Sequence, residues 1–235
     1  MKMALALIQT AALCSLVPSA ALAAVYTVTG TANIFSAGLD TPVAPGGGGP
    51  GTLPVLVTVA PNQGNIFQFQ ASGTINASYV LPDVGADGYT TYPPMNVNSY
   101  GGVSGYLGTG FALTGVFLTD ATPGAPTPST IDFTSSGLGR NFLTLAPKIG
   151  QLFFIGDGLT DAAQTQTFVI PSGATRLLLG VPDCNNAAGD PGYYDDNSGS
   201  LSVTVHQVPE PTSAALVGMG TLLGLAFRRR TVARG

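Results

Sequence analysis

The densest group of chemically capable side chains lies between Asp183 and Asn197, in the stretch DCNNAAGDPGYYDDN. Asp183, Asp190, Asp195 and Asp196 fall within 15 residues of one another, with Asn185, Asn186 and Asn197 among them and no Lys or Arg. That many carboxylates in one loop repel unless a cation offsets them. Calcium takes roughly six to eight oxygens, backbone carbonyls included, from a flexible loop. Gly189, Gly192 and Gly199 allow the sharp turns that aim carbonyls inward. The regular Asp ladder of an EF-hand is absent. The competing reading is a solvated turn cluster, since Asp and Asn also populate turns for backbone reasons.

Other catalytic chemistries find little to work with. Between the two ends the chain holds a single His, His206, a single Cys, Cys184, and no Glu before position 210. His206 lies in an alternating apolar–polar stretch, the pattern of a solvent-facing strand residue. Cys184 has no partner for an internal disulfide once the leader that contains Cys14 is removed. The glycine-rich GTGFALTG and GLGR lack the lysine and the strand–helix context of a phosphate-binding loop. A paired-carboxylate glycosidase needs two partners that the spacing does not single out. The expectation is a protein that is not an enzyme.

The elements that must position the acidic loop are strands. Only 9% of residues are charged, there are 32 Gly and 18 Pro, and Trp is absent. Segments of β-branched and aromatic residues alternate with turn formers, which favours many short strands. Val25 to Phe35 is expected as a first strand, followed by an irregular, flexible loop from Asp40 to Pro54. Strands are expected in VLVTV, NIFQFQASGTINASYV, FALTGVFL, QLFFIG, QTQTFVI, TRLLLG and SLSVTVH. Phe67 and Phe69 interleave with Gln68 and Gln70, and Leu201, Val203 and Val205 with Ser202, Thr204 and His206. Leu81 to Gly110 is a long connection rich in Tyr, Asn and Gly, of a length that is either functional or disordered. About nine strands and no helix between the ends predict an all-β protein, an antiparallel β-sandwich of jelly-roll type.

The two ends carry different information. Residues 1–23 have a basic start at Lys2, an apolar centre, Pro18, and small residues at Ala21 and Ala23, the order of a secretory signal peptide. The chain is thus divided into a leader (1–23), an exported domain (24–207) and a tail (208–235). In the tail, Val208-Pro209-Glu210-Pro211 precedes 16 uncharged residues and then Arg228, Arg229 and Arg230. The apolar run is slightly short of the roughly 17–25 residues of an ordinary span. The arginines would stay on the cytoplasmic side and hold the domain outside. The two prolines keep the preceding peptide extended, the form in which a protease grips it. Between the ends, Arg140, Lys148 and Arg176 stand against eleven Asp, a net of −8. Such a domain repels phosphate backbones, which excludes nucleic acid as a partner.

The tripeptide, the short span and the terminal arginine cluster together resemble the PEP-CTERM sorting signal. The resemblance implies removal of the leader by signal peptidase and processing of the tail by exosortase, a membrane cysteine transpeptidase. It further implies an exported protein of a Gram-negative bacterium, anchored transiently in the inner membrane and destined for the cell surface or extracellular matrix.

A second resemblance concerns SGATRLLLGVPD and YYDDNSGSLSVTV, which are similar to the C-terminal hairpin of the calcium-dependent, galactose-binding bacterial lectins of the PA-I type. It implies a jelly-roll domain with calcium held by Asp183, the Tyr193 carbonyl, and the pair Asp196 and Asn197, with a further carbonyl near Ala77. In those lectins calcium itself binds two sugar hydroxyls, which would place carbohydrate at Asp183 and Asn197. The loop between Asp183 and Asp196 is longer here, and the lectins' sugar-contacting His and Gln loop is replaced by the Tyr-rich segment. Tyr92, Tyr100 and Tyr106 are the candidates to stack on sugar rings. The expected function is a lectin-like, calcium-dependent carbohydrate-binding protein associated with exopolysaccharide or biofilm. The alternatives are a purely structural matrix protein and, last, a secreted polysaccharide hydrolase.

Overall fold

Turn residues cut the chain into short β-prone segments, and a computed structural model, which describes residues 22–61 and 64–208, shows how these pair. The strands are β1 (Leu22–Thr29), β2 (Val55–Thr58), β3 (Ile66–Asn76), β4 (Met95–Val97), β5 (Tyr106–Gly108) and β6 (Thr114–Leu118). They continue as β7 (Thr144–Leu145), β8 (Leu152–Phe154), β9 (Thr167–Val169), β10 (Arg176–Gly180), β11 (Ala188–Gly189) and β12 (Ser198–Val208). Helical structure among the described residues is confined to three single 3-10 turns.

The protein is all-β. One sheet has the order β1-β12-β3-β9-β7, a second β2-β10-β6-β8, and a small third sheet β11-β4-β5. Pairing is antiparallel except for β7 with β9 and β11 with β4, which run parallel. The two larger sheets meet through aromatic rings. Phe67 on β3 stacks on Phe117 of β6 with ring centroids 6.0 Å apart. Phe153 on β8 lies 5.4 Å from Phe168 on β9. Phe35, Phe67, Phe69, Phe117, Phe153 and Phe168 are fully buried between the layers. Each such ring buries a large apolar area and so favours joining the layers.

The alternation in β12 is realised: Leu201, Val203 and Val205 are buried, while Ser202 is exposed and Thr204 and His206 are half-buried on the other face. This strand is central, paired with β3 over its whole length and with β1 from Leu22 to Thr29. Leu22 pairs with Gln207 and Ala23 with His206, so the register reaches two residues into the expected leader. The Gln207 side chain, buried at the end of β12, bonds to both the N–H and the carbonyl of Ala60 and to the Gly64 carbonyl.

Two expectations are corrected. The segment from Val25 to Phe35 is not one strand. It stops at Thr29, where the chain turns and the Ala32 N–H donates to the Thr29 carbonyl. Ile34 and Phe35 enter the core from a 3-10 turn that the Asn33 side chain caps. The loop from Asp40 to Pro54 lacks strands, as composition predicts, but it is tied down rather than flexible. The Asn33 amide donates to the carbonyls of Val43 and Pro50.

Candidate functional site

Strand β10 delivers Asp183 to the end of the molecule where the acidic loop lies, and β12 starts one residue after Asn197. Tyr194, fully buried, fixes the first of these. Its hydroxyl donates to the Val181 carbonyl at 3.0 Å and accepts the Asp183 N–H at 3.0 Å. Asp183 is 5% exposed and Asn197 8% exposed. One carboxylate oxygen, Oδ1, accepts the Cys184 N–H at 2.8 Å. The Asn197 amide nitrogen donates to the Gly30 carbonyl at 3.1 Å, which turns its oxygen the other way. Asp183 Oδ2 and Asn197 Oδ1 are left buried without a hydrogen-bond partner among the described residues. A buried acceptor without a partner costs about 1–3 kcal/mol, more when charged.

The Asp183 carboxyl responds to this setting. Burial pushes its pKa up to about 8, opposed by the neighbouring Asn197 amide and the Cys184 N–H and reinforced by the charges of Asp196 and Asp195. Two buried acceptor oxygens, one of a carboxyl and one of an amide, thus lie in a place that penalises bare negative charge. The donors on offer are mixed. Among the described residues no three of His, Cys, Asp and Glu come together, and the oxygens are carboxylate, amide and carbonyl.

Asp183 and Asp196 face a cavity of about 490 Å³, with Ala77 and Tyr193 also on its wall. Four of the positions read from the sequence therefore converge, although Ala77 is more than 100 residues away in the chain. Tyr193 has φ +68°, and Phe111, Asn186 and Ala187, which also line the cavity, have φ between +50° and +60°. Only one further non-glycine described residue, Ala163, has positive φ. Left-handed backbone costs such residues roughly 1–3 kcal/mol each and gathers at functional sites.

The remaining acidic side chains have structural duties. Asp195 accepts the Gly49 N–H at 2.7 Å, and Asp190 accepts the Asn98 amide at 2.8 Å. The Gly49 contact belongs to a cradle that the sequence hides. The glycine-rich segment from Gly46 to Gly51 lies directly on the acidic loop. Gly46 donates to Pro191, and Tyr193 and Tyr194 donate to Gly47 and Gly49. A Cβ on Gly46 would come within 2.2 Å of the Asp190 carbonyl oxygen, and one on Gly49 within 2.3 Å of the Asp195 Cβ. Here the glycines serve close approach rather than mobility.

The tyrosines separate by position. Tyr92 is 48% exposed and lines the cavity, edge-on to Tyr89 with centroids 5.4 Å apart. Tyr100 is half-buried against the core and lies outside the cavity lining. Tyr106 is fully buried and its hydroxyl donates to the Thr109 carbonyl, so the expectation that it stacks on a ligand is corrected. Sequence reasoning passed over Tyr89, whose hydroxyl accepts the Ala77 N–H at 3.1 Å and donates to the Pro82 carbonyl. It also passed over Tyr194; a second Tyr inside a polar loop is the signal that a buried anchor was present. Cys184 is buried, and burial followed by the Asp183 charge pushes its thiol up to about 12, which removes thiolate reactivity at neutral pH.

Most of the tail's candidate residues, Pro209, Glu210, Pro211 and Arg228 to Arg230, lie outside the described residues, as does the apolar run between them; Val208 ends β12. Among the described residues no helix is long and apolar enough to cross a membrane. No curated protein matches the chain. Residues 207–230 match the PEP-CTERM protein-sorting motif, and the chain accordingly carries the tail of an exported protein that is held transiently in the membrane and processed by exosortase.

Proposed function

We propose that the exported domain is a calcium-dependent carbohydrate-binding module that acts at the cell surface or in the extracellular matrix of a Gram-negative bacterium, on exopolysaccharide. Asp183, Asn197 and Asp196 supply side-chain oxygens to the ion, and Tyr193 and Ala77 supply carbonyls. The observation that carries this reading is the pair of buried oxygens, Asp183 Oδ2 and Asn197 Oδ1, that have no partner among the described residues, with Asp183 on the wall of a cavity that Asp196, Tyr193 and Ala77 also line. Calcium bound there would offset the carboxylate charge and present a Lewis-acidic face to vicinal hydroxyls of a sugar. Tyr92, exposed on the same wall, offers an apolar face for a sugar ring. The sequence resemblance of the stretch from β10 to β12 to the C-terminal part of the PA-I-type lectins is a further support, although β10 and β12 lie in different sheets and do not pair as a hairpin.

Binding rather than turnover is the role proposed. The donors of this corner are the oxygens of an ion cage, and Cys184 beside them is held as a thiol. A glycan array probed with the purified chain in millimolar calcium, and again in excess chelator, tests the reading. Signal on neutral glycans that chelator abolishes supports it. No glycan signal in either condition, with equal thermal stability in both, favours a purely structural matrix protein.

A further inference from the structure

We infer that the glycan site has a second subsite, formed by Arg140, Asn141 and Asp161, which takes the next residue of a neutral saccharide chain. The inference rests on the carbohydrate-binding reading above and extends it from a single sugar to a polysaccharide segment. A second cavity of about 340 Å³ is lined by these three side chains, and it shares two walls, Tyr89 and Tyr92, with the first. The same two chain segments separate them. Pro93, Met95 and Gly110 face the cavity of Asp183, while Pro94, Gly108 and Thr109 face that of Arg140. The exposed Tyr92 ring belongs to both walls, so a saccharide that contacts it from the first cavity is adjacent to the second. Each cavity falls within the roughly 300–1,000 Å³ of small-ligand sites.

The chemistry of the second cavity suits hydroxyls. Arg140 Nη2 donates to Asp161 Oδ1 at 2.7 Å, and Asn141 Nδ2 donates to Asp161 Oδ2 at 2.8 Å. The Asn141 oxygen accepts the Asp161 N–H at 2.8 Å, so the carboxylate is clamped on both sides. The guanidinium has five N–H donors, and this pair uses a minority of them. The rest are available to sugar oxygens, and the Arg140 side chain is 30% exposed. Thr90, Thr134 and Ser135 add hydroxyls to the rim.

Charge selects among glycans. Asp161 neutralises Arg140 locally, and the segment between the leader and the tail is net −8, three basic residues against eleven Asp. A uronate chain is repelled by that field, whereas a neutral chain is not. Arg140, Asn141 and Asp161 lie outside the lectin-like stretch from β10 to β12, so the second subsite is a property of this chain's own loops.

The test is an affinity series with the purified full chain in calcium. Galactose, glucose and mannose are compared with their linear di- and trisaccharides and with uronate oligosaccharides of equal length. The expected result is affinity rising at least tenfold from mono- to trisaccharide, with uronates weaker than neutral chains. In Arg140→Ala the trisaccharide-to-monosaccharide ratio falls to near one. Arg140→Lys keeps the ion pair and the fold but lacks the planar donors, and it should lose most of the ratio as well. Equal affinity for mono- and trisaccharides, or a ratio unchanged in both variants, overturns the inference. The two readings fail separately. Length-dependent binding that is indifferent to chelator removes the calcium site and leaves the second subsite standing. Calcium-dependent binding without length dependence does the reverse.

Discussion

Asp183 is held by Tyr194: its N–H donates to the tyrosine hydroxyl at 3.0 Å, and the same hydroxyl donates to the Val181 carbonyl at 3.0 Å. The ring is fully buried, and the hydroxyl cannot ionise at any ordinary pH, because burial raises its pKa well above the usual value. The bond therefore acts as a permanent bracket between the end of β10 and the acidic loop. It explains how a loop with two 3-10 turns and three left-handed non-glycine residues can present the same oxygens each time the chain folds.

Tyr194→Phe keeps the packing of the ring and removes the bracket. A buried N–H and a buried carbonyl lose their partner, which costs about 1–3 kcal/mol. Thermal denaturation should show that loss without calcium, and a larger one with it, because Asp183 is no longer positioned. Equal losses in both conditions would detach Tyr194 from the cation site.

The raised pKa of Asp183 makes the stability of the cation-free protein depend on pH. The unfolded carboxyl titrates near 4, and the folded one is pushed up to about 8. Between these values the folded chain binds a proton that the unfolded chain does not, so stability falls as pH rises and levels off above the folded value. Asp87, raised by burial and by the charge of Asp157, adds a slope of the same sign. Melting temperature in chelator should therefore drop from pH 5 to pH 8, and Asp183→Asn should flatten most of that drop. With calcium present the wild-type trend should be reduced, since the ion takes the place of the proton.

The glycine cradle is predicted to be sterically strict. Gly46→Ala drives a Cβ against the Asp190 carbonyl, and overpacking of this kind costs about 1–3 kcal/mol. Gly85→Ala, where a Cβ would meet nothing within 4 Å, serves as the control and should be neutral within about 0.5 kcal/mol. Chemical denaturation of the two variants checks the contrast, and similar values for both would mean that the cradle is not a close contact.

The tail makes a prediction about mass. β12 runs without a spacer into the sorting motif, which begins at Gln207. Intact-mass analysis of protein recovered outside the cell should show loss of the leader and of the segment containing Arg228 to Arg230. Replacing Pro209, Glu210 and Pro211 by alanine should leave the tail attached and the protein in the membrane fraction. Release of that variant at the wild-type level would remove the sorting role.

The strands that were legible in the sequence are those that show a period or lie in a run of apolar and β-branched residues, as the three-residue β8 and β9 do. In β12 the triplet Leu201, Val203 and Val205 announces its own buried face, and Phe67 and Phe69 do the same for β3. The four strands that the sequence concealed, β4, β5, β7 and β11, have two or three residues each and lie among turn-forming residues, so neither alternation nor an apolar run marks them. Within the site, Asp183 and Asp196 belong to the carboxylate cluster that composition marks, whereas Tyr193 is named by the lectin resemblance alone; all three line one cavity. The role of the Gly46–Gly51 segment was not legible. Local composition describes what a glycine permits, whereas its duty here is set by Asp190 and Asp195, more than 140 residues away. Tyr193 and Tyr194 are adjacent and indistinguishable by composition, yet one lines the cavity and the other is sealed in the core. Tyr106, chosen as a surface ring, is likewise in the core, because β5 turns it inward.

Calcium titration calorimetry on the purified chain, wild type beside Asp183→Asn, bears most directly on the proposed cation site. Saturable binding of one ion at or below millimolar concentration, with proton release near neutral pH and its loss in the variant, is the predicted result. No heat above dilution in the wild type, or equal binding in Asp183→Asn, would contradict the assignment of the site.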